Sequence, residues 1–242
     1  MHVLYKMMSM KRKFLSNKPV FSSKKRFRKE KRKEEESESE EEEEEKDTIN
    51  LSKLLHGSMH GHSNSSCYTV NNNIYFNDDI TMESVTNLNR SIRELQNELL
   101  IMGVKNGIEP PPIKLHITTY GGVIHAAFSA IACIKSSKIP VHTIVDGYAA
   151  SAGTLISICG AKRYIHRHSS MMIHELSAGC WGRMSVMEEQ MEDMKKMMVK
   201  LKEIYVAHSN LTNKQLDKIL KKDSDWYADE CLEKGLVDEI ID

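Results

Sequence analysis

From Cys67 onward, short apolar runs alternate with longer amphipathic runs, and this alternation limits what the chain can fold into more than any other feature. Apolar residues spaced three and four positions apart predict helices over 84–102 and 123–135. Runs rich in Ile, Leu and Val predict strands over 113–117 and 141–145. Strands that alternate with helices are typical of a parallel sheet with right-handed crossovers. The sequence therefore predicts an α/β domain.

Shorter segments complete the predicted pattern. Strands are expected at 68–70, 74–76, 163–166 and 171–174, with short helices ending near residue 158 and spanning 212–220.

A narrow apolar seam follows these strands. Its seven members recur at alternating intervals of three and four, which predicts one helix of roughly twenty residues. They are Met184, Met187, Met191, Met194, Met198, Leu201 and Tyr205. Methionine suits both an adaptable core and a packed interface, so the seam faces either its own domain or a partner helix. The spacing leaves both interpretations open.

The N-terminal part of the chain carries its charge in two opposed blocks. Residues 11–33 are dominated by Lys and Arg, and residues 34–45 are Glu apart from two serines. Like charges repel and bury no apolar surface, so we expect residues 1–47 to form a disordered tail. A nucleic-acid-binding or nuclear-localisation arm in the basic block is the alternative. We expect a linker over 48–70 and the folded domain over 71–242.

Composition argues against several classes of protein. The chain has 34 Lys and Arg and 34 Asp and Glu; the first 47 residues hold 14 and 12 of these, leaving 20 and 22 for a remainder of net charge −2. Nucleic-acid binding by the folded domain is therefore disfavoured. Five cysteines without C-x-x-C spacing indicate neither a disulfide framework nor a thiolate metal site, and they favour a reducing, cytoplasmic compartment. No apolar run suits a signal sequence or a membrane span.

One predicted strand turns into a helix at residues 147–153, whose sequence is GYAASAG. A sharp turn of this kind exposes the Oγ of Ser151, and the N–H of Ala152 at the helix start can donate to an oxyanion. Small neighbours leave room for a substrate carbonyl. They also allow close helix–strand packing, so this turn alone is only weak evidence for a nucleophile.

Two adjacent glycines, Gly121 and Gly122, follow the preceding strand. Without a Cβ, the backbone N–H of either residue can approach a ligand closely, which makes each a candidate second oxyanion donor. The loop can also pair with an extended peptide. A phosphate-binding loop is the alternative, but neither glycine-rich phosphate motif is present.

The sequence also offers a base and an acid. His174 ends an apolar strand, and serine hydrolysis needs a base that is neutral near neutral pH. Asp223 could hold the imidazole tautomer and stabilise its cation. Asp225 competes for this role, and spacing alone chooses neither.

Four segments, in order, resemble the Clp protease proteolytic subunit, ClpP, a self-compartmentalising serine peptidase. The resemblance covers roughly residues 74–241. The matching segments are ITTYGG at 117–122, GYAASAG at 147–153, MIH at 172–174 and GLVD at 235–238. This resemblance implies a ClpP/crotonase-like fold of repeated β-β-α units, with the methionine-rich helix as a protruding handle between stacked rings.

Carried over residue by residue, the resemblance implies a nucleophile at Ser151, a general base at His174 and an oxyanion hole at Gly122 and Ala152. Gly121 and Gly122 would also bind the substrate backbone. Counting back without gaps from the GLVD segment puts Asp223, rather than Asp225, at the position of the acid. Neither a metal nor an organic cofactor is implied.

The resemblance thus predicts an ATP-independent serine endopeptidase that cleaves unfolded proteins or peptides through an acyl-enzyme, inside a homo-oligomeric assembly of heptameric or stacked rings. A crotonase-like acyl-CoA enzyme and a catalytically inactive ring subunit are the alternatives. Tyr120 stands where the family usually has Pro, and Glu175-Leu176 where it has Gln-Pro. The charged tail has no counterpart in the typical family member, so a Clp-type unfoldase ATPase is only a candidate partner.

Overall fold

The computed structural model describes residues 66–242, which all belong to one compact unit. The tail predicted over 1–47 lies outside the described residues, as does most of the linker predicted over 48–70. Its last few residues belong to a strand, and the predicted domain boundary at residue 71 falls in the turn that follows this strand.

Eight strands and six helices make up the described part of the chain. The strands are β1 (Cys67–Val70), β2 (Asn73–Asn77), β3 (Ile113–Thr119), β4 (Val141–Ala150), β5 (Arg163–His166), β6 (Ser170–Ile173), β7 (Ser224–Tyr227) and β8 (Glu239–Ile241). The helices are α1 (Met82–Asn106), α2 (Ile124–Ser136), α3 (Ala152–Ser157), α4 (Met184–His208), α5 (Asn213–Ile219) and α6 (Ala228–Glu233).

All eight strands share one sheet, in the order β1-β2-β3-β4-β5-β8, while β6 pairs with β4 and β7. The pairs from β2 to β5, together with β4–β6 and β5–β8, are parallel. The pairs β1–β2 and β6–β7 are antiparallel. The predicted α/β class is confirmed for the described residues.

The central strand β4 is longer than the sequence predicts, because it changes partners along its length. Residues 143–145 pair with β5, whereas residues 148–150 pair with β6. On its other side, the register with β3 shifts between Ile117 and Thr119. This exchange of neighbours lets one strand continue to the Ser151 turn.

Helix α1 has clear signals at both ends. Thr81 and Ser84 form a capping box at its start. Each side chain accepts a hydrogen bond from the backbone N–H of the other residue, and these N–H groups have no partner within the helix. Gly107 ends the helix in the left-handed conformation. Its buried face matches the predicted three- and four-residue spacing. The buried members of this face are Ser84, Val85, Leu88, Ile92, Leu95, Leu99 and Gly103.

Helix α4 contains the predicted seam, but only its C-terminal half packs into the core. Leu201 and Tyr205 are 6% and 1% exposed, whereas Met184 and Met191 are 70% and 50% exposed. The N-terminal half therefore presents apolar side chains that the described part of the chain does not cover.

None of the helices in residues 66–242 has the length and apolar composition that a membrane-spanning helix needs.

Candidate active site

Ser151 occupies a strained turn between β4 and α3, with φ 53° and ψ −121°. A non-glycine residue rarely adopts this conformation, which costs about 1–3 kcal/mol and persists only where the surroundings enforce it. The N–H of Ser151 donates to the carbonyl oxygen of Met172 at 2.8 Å, and its own carbonyl oxygen accepts from the N–H of Thr154 at 3.1 Å. The strand β6 and the first turn of α3 thus hold the strained residue from both sides.

The glycine loop is fixed by the backbone of Ile80. The N–H of Ile80 donates to the carbonyl oxygen of Gly121 at 2.7 Å, and the carbonyl oxygen of Ile80 accepts from the N–H of Val123 at 2.7 Å. Gly122 lies between these two bonds with φ 142°, where a Cβ would collide with the carbonyl oxygen of Ile80. Glycine is therefore required at position 122 by both conformation and space.

The two glycines differ in what their N–H groups do. The N–H of Gly121 donates to Oγ1 of Thr119 at 3.1 Å. Among the hydrogen bonds of residues 66–242, none is donated by the N–H of Gly122 or by the N–H of Ala152. A donor that is free before substrate arrives can stabilise a developing oxyanion. From the sequence, either glycine could be the second oxyanion donor. The difference between their two N–H groups favours Gly122.

His174 follows directly after β6, the strand that anchors Ser151. The next residue is also fixed, because the N–H of Glu175 donates to the carbonyl oxygen of Leu220 at 2.8 Å. The nucleophile and the candidate base are therefore both positioned by the same short strand. Within the described part of the chain, no hydrogen bond joins His174 to Ser151 or to either candidate acid.

The pairing of β6 with β7 separates the two candidate acids. Ile173 pairs with Ser224, so extending this antiparallel register by one residue puts Asp223 opposite His174. Asp225 pairs with Met172 instead. Its carboxylate accepts a hydrogen bond of 2.9 Å from the hydroxyl of Tyr148. The register therefore favours Asp223 as the neighbour of the imidazole.

Tyr148 links β7 to the turn that carries Ser151. Burial, and then the hydrogen bond to Asp225, raises the pKa of Tyr148 to about 12, so its hydroxyl remains a donor at neutral pH. The rings of Tyr148 and Tyr120 lie 5.5 Å apart, and Tyr120 is 77% exposed above the glycine loop. The two tyrosines thus connect the glycine loop with the strand after Asp223.

A cavity of about 200 Å³ brings together Gly122, Ser151, Ala152 and His174. Apolar side chains form most of its remaining wall, and the hydroxyl of the lining residue Tyr205 is hydrogen-bonded to that of Thr154 behind it. The other lining residues are Ile124, Leu155, Glu175, Leu176, Ser177, Leu201 and Tyr205. Gly121 and Asp223 do not line this cavity. Three larger hollows in the described residues, of about 470, 540 and 270 Å³, contain none of the predicted site residues.

Three supporting residues were not identified from the sequence. Ile80 fixes the glycine loop, Thr119 binds the N–H of Gly121, and Tyr148 binds Asp225. Thr119 lies two residues before Gly121, so the loop motif already contained a signal for it. Ile80 acts through its backbone, for which a sequence has no signal.

Two comparisons relate this chain to known proteins. The family model described as Clp protease matches residues 62–242. A solved structure of a mutant ClpP1 from Listeria monocytogenes superposes with a TM-score of 0.59 at 21% sequence identity. The match covers 69% of this chain and 88% of that chain, and at this identity it shows a shared fold.

Proposed function

This chain belongs to the Clp protease family, and we propose that it is an ATP-independent serine endopeptidase acting on unfolded proteins or peptides. The observation that carries the proposal is the single cavity in which Ser151, His174 and two free backbone N–H groups meet. Serine acyl transfer needs a nucleophile, a base and an oxyanion site in one place.

The chemistry begins when Oγ of Ser151 attacks the carbonyl carbon of the scissile peptide bond while His174 takes the hydroxyl proton. The carbonyl oxygen becomes an oxyanion, which the N–H groups of Gly122 and Ala152 stabilise. When this intermediate collapses, the C–N bond breaks and His174 gives its proton to the leaving amine. An ester joins Ser151 to the acyl part of the substrate.

Hydrolysis repeats these steps with water as the nucleophile. His174 takes a proton from water, whose oxygen attacks the ester carbonyl, and then returns the proton to Oγ of Ser151 as the acid product leaves. Asp223 orients the imidazole and stabilises its cation in this scheme. The β6–β7 register supports this role for Asp223.

We also propose that the active form is a homo-oligomeric ring, in which the exposed half of α4 contacts another subunit. The half-exposed and exposed methionines of this helix support an interface, because an apolar seam in contact with water leaves hydrophobic surface unburied unless a partner covers it. We further propose a reducing, cytoplasmic compartment, because the five cysteines have no C-x-x-C spacing and are too few and too scattered for a disulfide framework. A Clp-type unfoldase is the candidate partner that would unfold folded proteins and deliver them to the peptidase.

The proposal is tested by labelling the purified protein with a fluorophosphonate probe, beside the same protein with Ser151→Ala. We expect labelling and hydrolysis of a fluorogenic peptide in the wild type, with both lost in the variant. Absence of labelling in a well-folded particle would instead indicate an inactive ring subunit. An acyl-CoA activity that survives Ser151→Ala would favour a crotonase-like enzyme.

The pH dependence provides a second test. A protonated imidazole cannot accept the proton of Ser151, and imidazoles lose their proton near neutral pH. We therefore expect kcat/KM for peptide hydrolysis to rise between pH 5 and pH 8. A flat profile over this range would contradict a histidine base.

A further inference from the structure

We propose that the active-site cavity selects a lysine or arginine side chain on the residue whose carbonyl is attacked. This inference rests on the proposed peptidase function and specifies its substrate. The feature that carries it is Glu175, a cavity-lining residue whose carboxylate forms no hydrogen bond or ion pair with any residue in 66–242.

The size of the cavity indicates what it can receive. Its volume of about 200 Å³ is below the roughly 300–1,000 Å³ of sites that enclose a whole small ligand. A single side chain fits a hollow of this size. Because the cavity includes Ser151 and both proposed oxyanion donors, we assign it to the side chain of the residue whose carbonyl is attacked.

The wall of the cavity suits the stem of a long side chain. Ile124, Leu155 and Leu201 are buried and apolar, and Leu176 is half-buried beside them. The hydroxyls of Thr154 and Tyr205 bond to each other, and burial raises the pKa of Tyr205, so this phenol stays neutral. Lysine and arginine bury their methylene stems along such surfaces and keep the charged end near water.

The charge around the cavity suits the head of the same side chain. Glu175 is exposed and is the only Asp or Glu among the lining residues, which include neither Lys nor Arg. Its backbone is fixed by the bond to Leu220, so the carboxylate stays near the cavity. Lys221 and Lys222 lie next to Leu220 in sequence, and neither forms an ion pair with Glu175 in the described structure. The carboxylate is therefore available to a substrate cation.

The test compares peptide amides that differ in one side chain. One pair carries lysine or norleucine before the scissile bond, and the other carries arginine or citrulline, so each pair differs mainly by a charge. In the wild type we expect kcat/KM to be about 1.4- to 5-fold higher for the charged member, as for an exposed ion pair. The preference should shrink as salt is added, because ions screen exposed charges.

Two variants and a control locate the effect. Glu175→Gln should bring both ratios close to one, and Glu175→Lys should bring them below one. Glu109→Gln removes the same charge from an exposed loop before β3, at the opposite end of the strands from the site, and should preserve the wild-type ratios. If Glu175 acted only on the neighbouring base, Glu175→Gln would change both members of each pair equally and leave the ratios intact, which would overturn the inference.

Failure of the inference and failure of the peptidase proposal give different results. Hydrolysis of all four amides with ratios near one in the wild type would overturn the basic-residue preference alone. No hydrolysis of any amide, together with no fluorophosphonate labelling of Ser151, would overturn the peptidase and the inference with it.

Discussion

At the scale of single residues, the site depends on two positions whose backbone conformations are unusual. Ser151 adopts a positive φ despite its Cβ, and Gly122 adopts one that leaves no room for a Cβ. Both are held by backbone hydrogen bonds, to Met172 in one case and around Ile80 in the other. The site therefore depends on exact main-chain placement as much as on the identity of its side chains.

Replacing Gly122 by alanine should lower activity strongly because it distorts the glycine loop. The added Cβ would collide with the carbonyl oxygen of Ile80, which displaces the N–H that we assign to the oxyanion hole. We expect kcat to fall by about 10²- to 10³-fold, the usual cost of losing one such donor. Peptide hydrolysis and the rate of fluorophosphonate labelling measure this.

The matched control is Gly179→Ala, because a Cβ at position 179 meets nothing within 4 Å. Its activity should remain near that of the wild type. Full activity in the Gly122→Ala protein would remove Gly122 from the oxyanion hole.

The two candidate acids should respond differently to amide substitution. Asp223→Asn should lower kcat/KM by about 10³- to 10⁴-fold, because a neutral amide neither stabilises the imidazolium nor fixes the required tautomer. Asp225→Asn keeps an oxygen that can accept from Tyr148 and should cost much less. Steady-state kinetics of both variants decide between them, and a larger loss in Asp225→Asn would reverse the assignment.

At the scale of elements, the ion pair between Arg163 and Asp238 adds to the pairing of β5 with β8 in holding the C-terminal segment. Asp238 accepts from the N–H of Arg163 at 2.8 Å and from its Nε at 3.1 Å, and the two charged groups form an ion pair. The guanidinium of Arg163 also donates to the carbonyl oxygens of His208 and Gly235. Three parts of the chain meet at this arginine: β5, the end of α4 and the segment leading to β8.

Asp238→Asn should therefore destabilise the fold in a pH-dependent way. Hydrogen bonds from Arg163 hold the pKa of Asp238 below its ordinary value. The contribution of this carboxylate to the free energy of unfolding is therefore fully present above the unfolded pKa of about 3.9, and it is lost as pH falls through the lower folded pKa. We expect a loss of about 1 kcal/mol in the free energy of unfolding near pH 7, kept small because water reaches part of the side chain.

Urea denaturation of both proteins at several pH values measures this difference. It should stay constant from pH 5 to pH 8 and disappear in strong acid. A difference that grows on acidification would show that the carboxylate is not stabilised in the folded state.

The sequence predicted most elements but not β7, the strand that begins directly after Asp223. Helices α1 and α2 and strands β2 to β6 follow from apolar periodicity, because each buries one face. Strand β7 is only four residues long and contains Ser224 and Asp225, so no apolar pattern distinguishes it from a loop. Its pairing with β6 is a contact between distant parts of the chain, and our assignment of Asp223 as the acid rests on extending that register by one residue beyond Ile173 and Ser224.

At the scale of the whole molecule, the C-terminal half of α4 packs into the domain core, whereas its N-terminal half is exposed. The seam is continuous in sequence, yet its exposure changes from 70% at Met184 to 1% at Tyr205. The sequence could not choose between a core-facing helix and a partner-facing one because this helix has both kinds of surroundings. The projecting half is where we propose contact between subunits.

Placing charges in the projecting seam should weaken the assembly. The double variant Met191→Glu and Met194→Glu introduces two carboxylates where we propose apolar packing, so the particle should sediment as smaller species. Val199→Glu is the control, because Val199 is 54% exposed on the same helix but lies outside the seam. Analytical ultracentrifugation compares the three proteins, and unchanged sedimentation of the double variant would contradict an interface on this seam.

Strand β7 pairs only with β6, within the described sheet, whereas β4 has neighbours on both sides. Regions with few cooperative contacts open locally before the whole domain unfolds. The amides of β7 should therefore exchange with deuterium sooner than those of β4. Because we propose that β7 positions Asp223 near His174, mild warming should lower peptide hydrolysis before the rest of the sheet unfolds, and cooling should restore it.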